Sequence, residues 1–330
     1  KTQKINLKKI FIFNIVIFTI LIAAIETGSR IFHISDLMGI DESLWILKKK
    51  TINYHALKPN SEGNVFTKKA YIDDFGYRVP NLNYEYAESK ESIFFIGDST
   101  TFGNGVLENN TFVGKLRNEF NNYNIINSSV PGYNLPHHLM ELDAINKFKN
   151  IKKVFYIYTL NDISRLSQEQ EVNIEEKRIK KFRNIQITNQ INVFLRSRSF
   201  FYMWFKGVLT DPAARHFKYD YNAYQVESNI QLLENALQKM NNYFLKKNIA
   251  FKVIVLPYEF QTRGDNCFNN FSNPQKILTK ILDKLNVNYS NYMQNFCTHK
   301  ISKELFYKFD PMHLSIKGHN FVYKLLKEDI

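Results

Sequence analysis

From residue 89 onward, short unbroken apolar runs alternate with stretches of helical spacing, and this rhythm restricts the possible folds more than any other feature. Ser92–Ile96 reads SIFFI, Val154–Tyr158 reads VFYIY, and Phe251–Leu256 stops at Pro257. Runs this short and this continuously apolar suit strands buried on both faces, the condition of a parallel sheet covered by helices. Ile125–Asn127 and Val287–Tyr289 are weaker strands of the same kind. Helical patterns separate them at Phe112–Phe120, Leu139–Phe148, Val226–Leu245, Ile277–Leu285 and Ser315–Lys327. The expected fold is α/β, and ligands of such sheets bind at the carboxyl ends of the strands.

The first third reads differently. Lys1, Lys4, Lys8 and Lys9 precede an apolar run from Ile10 to Ile25, broken only by Asn14 and Thr19 and followed by Glu26 and Arg30. A basic flank predicts the side retained in the cytoplasm. A span needs ~17–25 residues, so the run is a short transmembrane anchor, with a cleaved signal segment as the alternative. The expected layout is a cytoplasmic flank (1–9), an anchor (10–25), a stalk and irregular arm (26–88) and a main domain (89–330). The main domain would be periplasmic or extracellular, or secreted if the segment is cleaved. The stalk reads as helical to about residue 50, and the arm carries Pro59, Gly63, Gly76 and Pro80. Residues 163–225 interrupt the α/β rhythm with a charged run, Glu175–Phe182, and the aromatics Phe200, Phe201, Tyr202, Trp204 and Phe205. They read as a helical insertion and candidate lid. A satellite core beneath it is the expected role of the aromatics, with contact to a membrane or an acyl chain as the alternative.

Composition narrows the class. The chain has 330 residues, is 44% hydrophobic and carries a formal net charge of +13. That length holds one sizeable core. The basic residues are mostly scattered and accompany no nucleic-acid motif, so nucleic acid is not an expected partner. An anionic membrane or polysaccharide surface, or a plain solvated lysine-rich face, accounts for the charge. Cys267 and Cys297 are the only cysteines. They either pair or stay as two buried thiols, and sequence spacing does not choose.

Four short motifs fall at strand ends. Gly97-Asp98-Ser99 follows the first strand, where a serine at a strand-to-helix turn exposes its hydroxyl. Ser129-Val-Pro-Gly132 follows the second, Leu160-Asn161-Asp162 the third, and Asp310-Pro-Met-His313-Leu-Ser315 precedes the last helix, which Ser315 is placed to cap. Each alone reads as an ordinary turn or cap. Together they hold every part of an acyl-transfer site: Ser99 as nucleophile, His313 as general base then acid, and Asp310 to orient the imidazole. Ser99 N–H, Gly132 N–H and the Asn161 amide would form the oxyanion hole. Arg78, Tyr133 and Asp162 are candidate substrate contacts. Asp98 is expected to support the turn, His137 and His138 to lie at the surface, and His319 to be structural. No metal-ligand cluster, phosphate-binding glycine loop or dinucleotide fingerprint is present.

In this order and at these places, the four blocks resemble the SGNH/GDSL hydrolase superfamily, whose name lists the Ser, Gly, Asn and His found here as Ser99, Gly132, Asn161 and His313. The stretch Gly97-Asp-Ser-Thr-Thr-Phe-Gly-Asn-Gly-Val106, with Val130-Pro-Gly-Tyr133 and Asn161-Asp-Ile163, is similar to bacterial members with an N-terminal membrane segment. Asp73-Asp-Phe-Gly-Tyr-Arg78 resembles an element that often precedes their catalytic domain. Thr100 replaces the leucine of the G-D-S-L name, and Thr159 stands where many members have glycine. The resemblance implies a three-layer α/β/α sandwich, no cofactor, and serine esterase activity. For an exported enzyme the expected substrates are short acyl groups, O-acetyl above all, on glycans, or lipid esters. The alternatives are an O-acetyltransferase acting on a surface polysaccharide and a non-catalytic binding or assembly subunit.

Overall fold

The computed structural model describes residues 7–49, 53–164, 190–268, 270–299, 302–308 and 310–330. Its centre is an eight-stranded sheet. Five strands run parallel in the order β7-β6-β8-β9-β10: β6 (Ser92–Gly97), β7 (Asn124–Asn127), β8 (Ile151–Tyr158), β9 (Ala250–Val255) and β10 (Asn288–Asn291). Side chains alternate between two cores. Phe94 and Ile96 of β6 join Val154, Tyr156 and Tyr158 of β8 on one face, whereas Ile93, Phe95, Phe155 and Ile157 fill the other. Helix α9 (Glu227–Lys246) and α10 (Asn273–Lys284) cover the first face with Leu237, Met240, Phe244, Leu278 and Leu282. Helix α3 (Phe112–Glu119) and the last helix, α12 (Ile316–Leu326), cover the second with Leu116, Val322 and Leu326. This is the parallel sheet covered on both faces that the apolar runs predict, a three-layer α/β/α sandwich.

The arm departs from expectation. Helix α1 (Leu7–Ile31) ends well before residue 50, and Trp45–Lys49 is a strand, β1, paired antiparallel with β2 (Asn53–Leu57). Residues 53–79 are not irregular either, whereas 80–88 hold no strand or helix. β3 (Ser61–Val65), β4 (Lys68–Ile72) and β5 (Arg78–Val79) extend the main sheet as antiparallel strands beyond β7. β3 alternates buried and exposed, but the inward positions are Ser61, Gly63 and Val65, so the sequence reads as polar. Small side chains fit there because Leu44 packs against the strand: a Cβ on Gly63 would lie 2.9 Å from the Leu44 side chain. Leu44, Leu57, Val65, Ala70 and Ile72 form a third core with Phe102, Val130 and Tyr133, which fixes the arm to the rim of the sheet.

Of the insertion, residues 165–189, which include the charged run Glu175–Phe182, lie outside the described residues. After them come a helical stretch at 190–196 (α6), α7 (Phe200–Leu209) and α8 (Pro212–Ala223). The aromatics of α7 do not make a shared satellite core: Phe200 and Met203 face inward and Phe205 is exposed. Cys267 and Cys297 are joined as a disulfide, with Cα atoms 5.8 Å apart. Helix α1 is long and apolar enough to cross a membrane, and none of its hydrophobic window is buried.

Candidate active site

β6 has β7 on one side and β8 on the other, although the chain visits β7 before β8. Loops leaving such a switch point part in opposite directions and open a crevice at the strands' carboxyl ends. Gly97 closes β6 and Ser99 begins α2 (Ser99–Phe102). The Asp98 side chain caps this short helix by accepting from Thr100 N–H at 2.8 Å. Glycine is required at 97 by close approach, not by a left-handed φ. A Cβ there would stand 2.1 Å from Thr101 Oγ1 and 3.2 Å from the Ile157 carbonyl. As the first helical residue, Ser99 has an amide with no acceptor inside its helix, and its side chain lies at the rim of the core, 9% exposed.

The other blocks arrive at the same rim. Val130 N–H donates to the Gly97 carbonyl at 3.1 Å, which fastens the Gly132 loop to the end of β6. Gly132 has φ +81°, so here glycine is required by conformation. From the end of β8, Asn161 Nδ2 donates to Asp98 Oδ2 at 3.0 Å. The Thr159 hydroxyl lies 3.1 Å from that same carboxylate oxygen and 2.5 Å from Asn161 Oδ1. Thr159 thus braces the Asn161 amide. The last block enters on β12 (Asp310–Leu314), which pairs with β11 (Phe306–Tyr307). Thr100 Oγ1 donates to the Met312 carbonyl at 3.3 Å, so the residues following Ser99 and preceding His313 are bonded to each other.

His313 Nδ1 is hydrogen-bonded to Asp310 Oδ2. Its Nε2 is buried and has no hydrogen-bond partner among the described residues. Burial alone would depress the imidazole pKa, but the charge and hydrogen bond of Asp310 outweigh it and hold the ring above its usual 6.5. Burial would raise the Asp310 carboxyl, and His313 overrides that as well, holding it below the usual range. The Phe66 ring meets His313 edge-on, with centroids 5.4 Å apart. Beside Phe66 runs a groove of about 940 Å³ lined in part by Met38, Ile40, Val193 and Phe194.

The three candidate substrate contacts are all buried and bonded within the protein. Arg78 is completely buried and donates to the carbonyls of Phe102, Gly103 and Val106, with its guanidinium over the Phe102 ring. Burial pushes its pKa down to about 9, which leaves it charged at neutral pH. It locks the loop after α2 and has no surface to offer a ligand. Tyr133 is 2% exposed and its hydroxyl donates to the His55 carbonyl at 3.1 Å. Asp162 is buried and accepts from Thr159 N–H at 3.1 Å. His138 is not at the surface: its Nε2 lies 3.7 Å from Asp162 Oδ1, and burial pushes its pKa down to about 4. His137 is half-buried and hydrogen-bonded to Asn134. Buried His319 accepts from Phe112 N–H at 3.2 Å, a structural role.

Sequence reasoning missed Tyr258 and Asp220. Tyr258 Oη lies 3.2 Å from Asn161 Oδ1 and 2.7 Å from Asp220 Oδ2 on α8. Tyr258 stands three residues past the end of β9, so the strand-end rule that found Ser99 and Asn161 points to it as well. Among the described residues, no cluster of His, Cys, Asp and Glu is arranged to hold a metal ion.

No protein-family model matches the chain, and no curated protein does. Solved structures overlap it at low identity. A member of the lipolytic protein G-D-S-L family from Veillonella parvula is 12% identical over 72% of this chain and 97% of its own, with a TM-score of 0.41. The acetyl xylan esterase AlAXEase is 13% identical over 72% and 99%, with a TM-score of 0.44. The lipase/acylhydrolase from Enterococcus faecalis is 12% identical over 72% and 96%, with a TM-score of 0.41. Likenesses this distant decide nothing about the chemistry, which the residues themselves must carry.

Proposed function

We propose that the chain is a serine ester hydrolase of the SGNH/GDSL type, tethered by α1 with its main domain outside the cytoplasm. The observation that carries this reading is the state of His313: one ring nitrogen tied to Asp310, the other buried without a partner beside the turn that bears Ser99. Among the described residues His138 and His319 also have an Nε2 without a hydrogen-bond partner; what sets His313 apart is its tie to Asp310 and the bond that joins its strand to the turn bearing Ser99. Ser99 Oγ attacks the ester carbonyl carbon while its proton passes to His313 Nε2. Asp310 holds the imidazolium that forms. The tetrahedral oxyanion takes hydrogen bonds from the N–H groups of Ser99 and Gly132 and from the Asn161 amide. The bond to Asp98 holds that amide in place. Collapse breaks the ester C–O bond, and His313 returns its proton to the departing alkoxide. Water, deprotonated by the same nitrogen, then releases the acid and restores Ser99.

The basic flank before α1 supports a cytoplasmic N-terminus, and the tether supports esters that occur at a cell surface: acyl groups on glycans, or lipid esters. A fluorophosphonate probe on the full chain tests the chemistry. Labelling of the wild type and none of Ser99→Ala is the expected result. A folded wild type that takes no label and cleaves no p-nitrophenyl acetate would sink the reading.

A further inference from the structure

Helix α7 has two apolar faces. Phe200 and Met203 point into the protein. On the other side Phe201, Trp204, Phe205 and Val208 follow at i, i+3, i+4 and i+7, the spacing of a single stripe. Phe201 stacks on both Trp204 and Phe205, while Phe205, Val208 and Leu209 are 47%, 59% and 65% exposed. A helix at a protein–water boundary carries polar residues on its outer face, and one that is apolar all round is buried in protein or lipid.

The end of α1 says which. The Glu26 carboxylate accepts from Ser199 Oγ at 2.7 Å and from the N–H groups of Phe200 and Phe201 at 3.1 Å each. It thereby satisfies the first turn of α7 and opposes the positive end of its dipole. Ser35 Oγ adds a bond to the Phe200 carbonyl at 2.6 Å, and Arg30 lies over the Phe200 ring. The start of α7 is thus fixed to the last turns of α1. From Lys9 to Glu26 the helix rises ~26 Å at 1.5 Å per residue, close to the ~30 Å thickness of a bilayer's hydrocarbon core. With Lys8 and Lys9 at one boundary, Glu26 stands at the other, and α7 begins there with it.

We infer that the outward face of α7, with its neighbour α6, rests in the headgroup layer of the membrane that α1 crosses. The inference rests on the anchor reading of α1 and is independent of the hydrolase reading. On α6, Ile191, Val193 and Phe194 are each more than half exposed. Exposed Arg198, beside the start of α7, supplies a cation for anionic headgroups. A tryptophan with apolar neighbours on one side of a helix is the composition of an interfacial segment. The contact turns a single tether into a fixed footprint and brings α6 to the bilayer surface. α6 carries Arg196, whose charge helps hold the Asp310 carboxyl low.

The test uses the full chain in phosphatidylcholine vesicles containing phosphatidylglycerol. Trp204 emission is read as the difference between wild type and Trp204→Phe, which leaves Trp45 in place. The expected result is loss of this emission when the lipids carry bromine high on their acyl chains, ~5–10 Å below the surface, and little loss with aqueous iodide. Phe205→Asp with Val208→Asp should reverse both responses without changing the circular dichroism. Extraction at alkaline pH separates the failures. A chain that stays with the vesicles while iodide alone quenches Trp204 keeps its anchor and overturns the inference. So does a Trp204 shielded from both quenchers, because protein then covers the face. A chain that alkali removes loses the anchor and the inference together.

Discussion

In the proposed mechanism Asp310 and His313 set the pH behaviour of the site. The imidazole is held above 6.5, and as the proposed base it would accept the Ser99 proton only when neutral. Activity should therefore fall as pH drops through a value above ~6.5, the ordinary histidine pKa. Asp310→Asn removes the carboxylate that raises the ring, so the acid limb of kcat/KM should move down while kcat falls roughly 10⁴-fold. A limb that stays in place in this variant would count against the pairing. Asn161→Ala should lower kcat roughly 10²–10³-fold with KM little changed if its amide donates to the oxyanion as proposed. Steady-state kinetics on a p-nitrophenyl ester at several pH values reads both effects. The same residues show what a sequence can display. Ser99, Gly132 and Asn161 each follow a strand whose apolar run marks its end. Tyr258 and Asp220 are brought together across 38 positions, and Tyr258 reaches Asn161 across 97, so no local pattern connects them.

Among the elements, the turn from β6 into α2 and the loop after it depend on two buried residues, Gly97 and Arg78. Arg78→Met should leave the carbonyls of Phe102, Gly103 and Val106 without their donor, at a cost of roughly 1–3 kcal/mol for each group left unpaired. A lower Tm with KM unchanged in the folded fraction is the expected outcome. A raised KM at unchanged Tm would restore Arg78 as a substrate contact. Gly97→Ala sets a methyl 2.1 Å from Thr101 Oγ1 and 2.8 Å from Thr101 Cβ, so Tm should fall, and Thr101→Ala in the same chain, which relieves only the first contact, should recover little of it. The parallel strands were legible because burial on both faces demands unbroken apolar runs. β3 to β5 were not, because Ser61 and Gly63 occupy inward positions and the pattern they leave looks like a turn-rich loop. For the same kind of reason His138 misleads: a polar residue is expected outside, and only the packing around Asp162 shows it buried.

Taken whole, the molecule carries two buried neutral histidines, and their effect on stability has a definite sign. In the unfolded chain each ring takes a proton near 6.5. Folded, burial holds His138 down to about 4 and His319, beside the Arg78 charge, to about 3. The unfolded state then binds more protons between those limits, so stability should fall with pH below 6.5, by up to ~1.4 kcal/mol per pH unit for each ring. Thermal melts of wild type and His319→Asn across that window read it, with the shallower slope expected for the variant. The disulfide between Cys267 and Cys297 closes a segment with a sequence separation of 30, and its reduction should cost about 3 kcal/mol. The antiparallel strands have a consequence for anyone who trims this protein. On the outer flank of β7, β5 meets the strand at Arg78 and Asn127, and the Arg117 side chain donates to the Ile125 carbonyl at 2.9 Å. A chain started at residue 89 would keep Ser99, Asp310 and His313 yet leave the edge of β7 without its strand neighbour at Asn127. Such a fragment should template its own aggregation.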